Sequence, residues 1–396
     1  MPPMTETLEI PFLRGESDPA LCERIDSALL RMNEIYAGGH YPRVTVVRSW
    51  SSHNPAISGE VARPSSARWY LFRELKRLVS RGATVRIEAS RPIVTLTDVT
   101  LLERLDEHDW DLTRKKLFLF PPERVELSFE RLEHYTGTKA AEFQRYVLLT
   151  NYDMHMEAFV EEFPNCVQAK GTVQMPACHH VLDENLGVSI VNIGVGPSNA
   201  KNFTDHLAVL RPDAMIMVGH CGGIRNHQNI GDYVLASGYM RADKVLDDLL
   251  PLGVPIAPSF LLNTYLSQAL EDEQLKYRLG TVYTTADRNW ELALRRTHND
   301  LQVSRSVAID MESATVAANG FRYRIPNATL LCVSDKPLHG RPKLRGKAAE
   351  FYRETKQKHL SVAIRAMSLA KKDWPWGLPT ASIRALDEPL LGGAIE

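Results

Sequence analysis

Paired cysteines, long apolar runs, charge of a single sign and complete phosphate- or zinc-binding motifs are all missing from this chain of 396 residues. The cysteines are five, Cys22, Cys166, Cys178, Cys221 and Cys332, scattered without paired spacing. An odd, unpaired set argues against a disulfide framework and for reduced thiols, so no disulfide is expected. Lys and Arg number 47 against 48 Asp and Glu, a formal charge of −1, with both signs mixed along the sequence. Without a basic patch or tail, no nucleic-acid partner is expected, although a small anionic ligand stays open. No stretch reaches the eighteen or so apolar residues of a membrane helix. Met1-Pro2-Pro3-Met4-Thr5-Glu6 also lacks the basic start and apolar run of a signal peptide. The expectation is a soluble, cytoplasmic protein. Gly194-Val195-Gly196 lacks the third glycine of a dinucleotide fingerprint, and no Gly-Lys-Ser/Thr ending makes a nucleotide-triphosphate loop. His155-Met156-Glu157 lacks the two-histidine spacing of a zinc helix, and His179-His180 has no third ligand at sensible spacing, so His179-His180 reads as a loop pair and no metal is expected.

What is present is enough apolar sequence, 44% of residues, for a large core and more than one domain. Residues 1–120 predict a small α+β domain, with helical periodicity over Leu21 to Tyr36 and Trp69 to Val79 and strands at Val44 to Val47 and Thr84 to Ile87. Ser51 to Gly59 reads as a loop, and Pro121 to Thr138 as a connector. From Tyr146 short apolar runs alternate with helical ones, which predicts a largely parallel or mixed sheet flanked by helices over residues 121–375. The stretch 376–396 reads as a loose tail.

Chemistry gathers at the ends of the predicted strands, where ligands of α/β folds sit. Ala328 to Val333 breaks off into Ser334-Asp335-Lys336-Pro337, lifting a carboxylate from the end of a buried strand. Ala308-Ile309-Asp310-Met311-Glu312-Ser313 delivers further acids ahead of a helix. Glycine turns follow two more strands, at Gly194 to Asn199 and at Gly219-His220-Cys221-Gly222-Gly223. Such turns let backbone N–H groups approach a ligand, and equally serve plain tight packing. Asp335 alone would also fit an Asx turn, and Glu312 a first-turn helix acid.

Taken in order, Gly219 to Gly223, Ile230 to Val234, Asp310 to Ala314 and Val333-Ser334-Asp335 resemble the purine nucleoside phosphorylase and nucleosidase superfamily. Asn192 to Lys201, Arg211 to Asp243, Asp287 to Leu292 and Cys332 to Arg345 narrow the likeness to the bacterial AMP nucleosidases. The resemblance implies hydrolysis of AMP to adenine and ribose 5-phosphate on a nucleoside-phosphorylase-like fold. Its alternatives are a phosphorylase or nucleosidase whose substrate lacks the 5′-phosphate, and a nucleotide-sensing module. Asp335 would be the acid toward N7 of the base, and Glu312 the acceptor of the ribose hydroxyls with Met311 against the sugar. Met217 and His220 stand where phosphorylases hold phosphate with arginine and serine, which favours water as nucleophile. Asn151 and Gly222 would line the substrate site, as would Asn289 and Trp290. Asp153, His155 and Glu157 are the candidates to orient water. Arg288 and Lys336, ahead of Lys343, Arg345 and His220, are the candidates for the 5′-phosphate. The resemblance further implies a regulatory N-terminal domain, MgATP as activator, phosphate as inhibitor, no cofactor in the reaction, and a homohexamer.

Overall fold

A computed structural model describes residues 7–47, 56–97, 105, 117–183, 186–341 and 347–379, with the backbone alone over 347–356. Lys343, Arg345 and most of the expected tail lie outside the described residues. The chain divides into two compact units, one comprising residues up to 131 with 209–211, the other 132–208 and 212–382.

In the first unit the strands are β1 (Leu8–Ile10), β2 (His40–Val47), β3 (Ala56–Glu60) and β4 (Thr84–Pro92), all antiparallel in the order β1-β4-β2-β3. Two helices, α1 (Asp18–Ala37) and α2 (Arg68–Ser80), pack on it. Ser17 caps α1 by accepting the Ala20 N–H at 3.4 Å, with a proline in the first turn. Ile25, Leu29 and Met32 recur on one face of α1 and meet Leu71, Leu75 and Leu78 of α2 and Val44, Val46, Val85 and Ile87 of the sheet. The expected loop through Gly59 is strand over Ala56–Glu60, because β3 pairs with β2 from Arg43 to Val47. The expected connector is also regular: α3 (Pro122–Thr136) is a helix begun by proline, and the division between units falls inside it.

Among the described residues the second unit holds nine strands: β5 (Tyr146–Thr150), β6 (Val167–Gln168), β7 (Ala177–Asp183), β8 (Leu186–Asn192), β9 (Ala214–Gly223), β10 (Tyr233–Ala242), β11 (Tyr277–Thr285), β12 (Ala308–Asp310) and β13 (Asn327–Asp335). Their order is β12-β11-β10-β13-β9-β5-β8-β7-β6. The sheet is mixed: β8, β5, β9 and β13 run parallel, as do β10, β11 and β12, whereas β10 meets β13 antiparallel. β12 turns back to pair antiparallel with the end of β9, Ala308 opposite Gly223 and Ile309 opposite Gly222, closing β9, β13, β10, β11 and β12 into a ring. A side chain on Gly222 would place its Cβ 2.9 Å from Ile309 Cγ2, so that closure requires glycine.

Helices cover both faces. α4 (Asp153–Glu162), α6 (Phe260–Asp272) and α9 (Lys347–Asp373) bury Phe159, Leu266 and Ala363 against alternate residues of the central strands, Leu148, Ile190, Ile216 and Leu330 among them. On the other side α5 (Pro197–Leu207) and α8 (Ser313–Tyr323) pair through Asp205. That carboxylate accepts from Tyr323 Oη at 2.8 Å and Asn319 Nδ2 at 2.9 Å and ion-pairs with Lys201 at 2.6 Å. α7 (Leu294–Val303) follows β11 after a short 3-10 turn, Trp290–Ala293. His179-His180, read as a loop pair, belongs to β7. Both ring nitrogens of His179 are used, Nδ1 with Ser189 Oγ and Nε2 with Thr138 Oγ1, each at 2.8 Å.

Candidate active site

The C-terminal ends of β9, β12 and β13 open into a cleft of about 500 Å³. β13 is buried along nearly its whole length, as a strand flanked on both sides must be. Its register against β9 slips between Val333 and Asp335, so that Asp335 stands opposite Gly222. The slip lets Ser334 and Asp335 both reach the cleft, which strict alternation forbids. Ser334 Oγ donates to Asp335 Oδ1 at 2.6 Å, which orients a half-buried carboxyl that lines the cleft.

Glu312 sits at the N-cap of α8 but makes no cap hydrogen bond. Asp310 organises that helix start instead, accepting from the Ser313 N–H at 2.9 Å, the Ser313 hydroxyl, and Thr284 Oγ1 at 2.6 Å. Freed from capping, the Glu312 carboxylate accepts from the Gly196 N–H at 2.6 Å and from Asn151 Nδ2 at 3.0 Å. Gly196 holds φ 108° and ψ 157°, a region open to glycine almost alone, and this aims its N–H across at Glu312. The first glycine turn is thus an acid-holding device.

Burial, and next the neighbouring Asp310 charge, push Glu312 up to about 8, while the Gly196 and Asn151 donors pull it down. Burial also raises Asp310, against the pull of Ser313 and Thr284. Two buried acids this close share their ionisation. Hydroxyl donors or a cation arriving at Glu312 favour its charged form.

The cleft gathers most of the expected residues: Asp335, Glu312, Met311, Gly222, His220, Arg288, Asn289, Trp290 and Asn151 all line it. Trp290 also packs on Tyr283 and Ile309, fixing the turn that carries exposed Arg288 and Asn289. Four of the expected residues do not line it. Lys336 does not line the cleft: it is 6% exposed, its Nζ donates to the Asn226 carbonyl at 2.8 Å, and its backbone bridges to Arg341. His155 is wholly buried beneath the cleft, and Glu157, two residues on, is exposed on α4. Asp153 accepts from Asn192 Nδ2 at 2.7 Å, also outside.

Sequence reasoning missed Ser334, Asp310 and Tyr152 as parts of the site. The spacing Asp310-x-x-Ser313 before an apolar helix was the available signal for the cap that releases Glu312. Tyr152 stands edge-on to His220 with ring centroids 4.7 Å apart.

The profile of the phosphorylase superfamily matches residues 155–368. The chain is 44% identical over 309 residues to AMP nucleosidase of Escherichia coli (strain K12), covering 68% of this chain and 64% of that protein. Uridine phosphorylase of Treponema pallidum (strain Nichols) is 26% identical over 150 residues, covering 38% of this chain and 58% of its own. Among solved structures, AMP nucleosidase from Bacteroides thetaiotaomicron VPI-5482 superposes with a TM-score of 0.54 at 30% identity, covering 63% of this chain and 99% of that one. The chain therefore spans about 64% of the length of the curated AMP nucleosidase it matches.

Proposed function

The chain belongs to the phosphorylase superfamily, and from that premise we propose that it hydrolyses the N-glycosidic bond of AMP, releasing adenine and ribose 5-phosphate. The similarity to AMP nucleosidases supports the substrate. The observation that carries the reading is the meeting of Asp335 and of Glu312, held by Gly196 and Asn151, in one cleft.

Breaking the bond leaves positive charge on the ribose and negative charge on the purine. Asp335 gives a proton to N7 of the base as the C1′–N9 bond breaks, with Ser334 fixing its other oxygen. Glu312, ionised, accepts the ribose 2′- and 3′-hydroxyls and faces the developing cation, with Met311 against the sugar. Water adds to C1′ and loses its proton to solvent. Among the described residues lining the cleft, Arg288 is the one guanidinium or ammonium, and it takes the 5′-phosphate.

The reading extends to a homohexamer in the cytoplasm, with a catalytic domain over 121–375, a regulatory domain over 1–120 and a tail over 376–396, activated by MgATP and inhibited by phosphate. Exposed apolar side chains on the catalytic unit, Phe260 at 78% and Leu292 at 90%, support assembly. Chromatography of free base from AMP and from adenosine, each with and without phosphate, tests the proposal. Release from AMP without phosphate is the expected result; phosphate-dependent release from adenosine alone would replace the hydrolase by a phosphorylase. Arg288→Ala is expected to raise KM for AMP by about ten- to a hundredfold, the worth of a hydrogen bond to a charged group, with little change for adenosine. Equal losses on both substrates would make Arg288 structural.

A further inference from the structure

Beneath the cleft three histidines meet from distant parts of the chain, His155 on α4, His220 on β9 and His359 on α9. Their exposures are 0%, 6% and 0%. One ring nitrogen from each lies within 4.8 Å of the others. The ring centroids are 5.0 Å apart for His155 and His359, and 5.5 Å apart for each of the pairs with His220. Three imidazoles radiating from one tetrahedral ion at metal–nitrogen distances of about 2.0–2.1 Å have centroids about 5 Å apart. The rings already stand at that spacing, and movements of about 1 Å or less would bring the nitrogens onto a common ion.

The hydrogen bonds around the cluster say which nitrogens are available. His359 Nε2 lies 3.0 Å from the Leu330 carbonyl, which only accepts, so Nε2 carries the hydrogen and Nδ1 of the neutral ring is a bare lone pair. That Nδ1 is buried without a hydrogen-bond partner, and so is His155 Nε2, whose ring is held from the other side by Thr150 Oγ1 at 2.7 Å from Nδ1. A ring nitrogen fixed by a backbone carbonyl or hydroxyl, with its opposite nitrogen turned inward, is the arrangement that orients metal-binding histidines. A buried orphan lone pair costs stability unless something fills it. A second proton on either inward nitrogen would meet no acceptor, so both rings are neutral, the ligand form.

We propose that His155, His220 and His359 bind a divalent transition metal of the zinc type. Three neutral imidazoles suit zinc, and exclude the hard oxygen-seeking cations magnesium and calcium. A water-derived fourth ligand completes the set. The ion ties α4 and α9 to the underside of β9 and holds the His220 ring beside Tyr152, where both face the cleft. His155 thus acquires a role from which its burial under the cleft had removed it.

The test is metal content and affinity of the full-length protein, independent of which base it releases. Mass spectrometry of protein purified from zinc-supplemented medium is expected to find about one zinc per chain. Cobalt(II) titration is expected to develop a visible tetrahedral spectrum without a thiolate charge-transfer band, and zinc to raise the melting temperature. His359→Gln and His155→Gln each should weaken binding by at least about a hundredfold, beyond the 10–100-fold of an outer-shell loss. Stoichiometric binding that survives unchanged in both variants, or a thiolate band, would assign the metal to another site such as Cys166 and Cys178 and overturn the proposal. Should the variants fail to fold, absence of saturable cobalt binding by the wild-type chain would overturn it alone.

Discussion

At Asp335 the Ser334 hydroxyl orients the carboxyl at the cleft, and the role proposed for it is proton delivery more than binding. Asp335→Asn is therefore expected to lower kcat by about 10²- to 10⁴-fold with KM for AMP little altered, as steady-state kinetics would read. Near-normal turnover would remove Asp335 from the acid role. Glu312 makes the opposite demand: it must be ionised where burial resists ionisation. Its value rises from 4.5 to about 8, so the folded chain keeps a proton that the unfolded chain has already released between those values. Stability associated with this group is full below about 4.5, falls as pH rises and is lost above about 8. Glu312→Gln should then lose kcat/KM by about 10²- to 10³-fold, yet melt higher than wild type by a margin that widens from pH 5 to pH 8.5. A margin that stayed constant would mean that Glu312 ionises in the folded chain at its ordinary value.

At the scale of elements, the first glycine turn links backbone conformation to chemistry. Gly196→Ala meets no atom within 4 Å, so the whole cost arises from φ 108°, about 1–3 kcal/mol, and falls on the N–H that holds Glu312. Denaturant unfolding should register that loss, together with reduced activity. The elements themselves were legible wherever one physical signal dominated. β5, β8 and β13 are continuous apolar runs because neighbours cover both faces, and α1, α2 and α6 carry a helical stripe. β3 was not, since Ala-Ile-Ser-Gly-Glu is short, polar and an edge whose strand character comes from pairing with β2. Asp335 and Glu312 could be read from strand ends. The placing of Lys336 could not, because a register slip one residue earlier decides it. Nor could the histidine cluster, whose members share no local spacing and meet only when α9 packs on β9 and α4.

For the molecule as a whole, every residue proposed to touch AMP belongs to the second unit. An effector response of the cleft would then be a change in the populations of its states, read as altered affinity or turnover for AMP. Activity of the full-length chain across MgATP and phosphate concentrations is expected to rise with the first and fall with the second; a flat response to both would leave residues 1–120 an architectural role. The ring formed when β12 returns to β9 limits what such a response can move. Asp335 ends β13 and Glu312 follows β12 directly, and both strands are laced to β9 by backbone hydrogen bonds. A hinge opening the two acids away from each other would have to tear that lacing, so the two stay at a fixed mutual spacing through the catalytic cycle. On the proposed reading, entry of nucleotide and escape of the base would fall to the exposed turn that carries Arg288 and Asn289. Turnover and leaving-group chemistry become separable properties, one belonging to a gate and the other to a rigid frame.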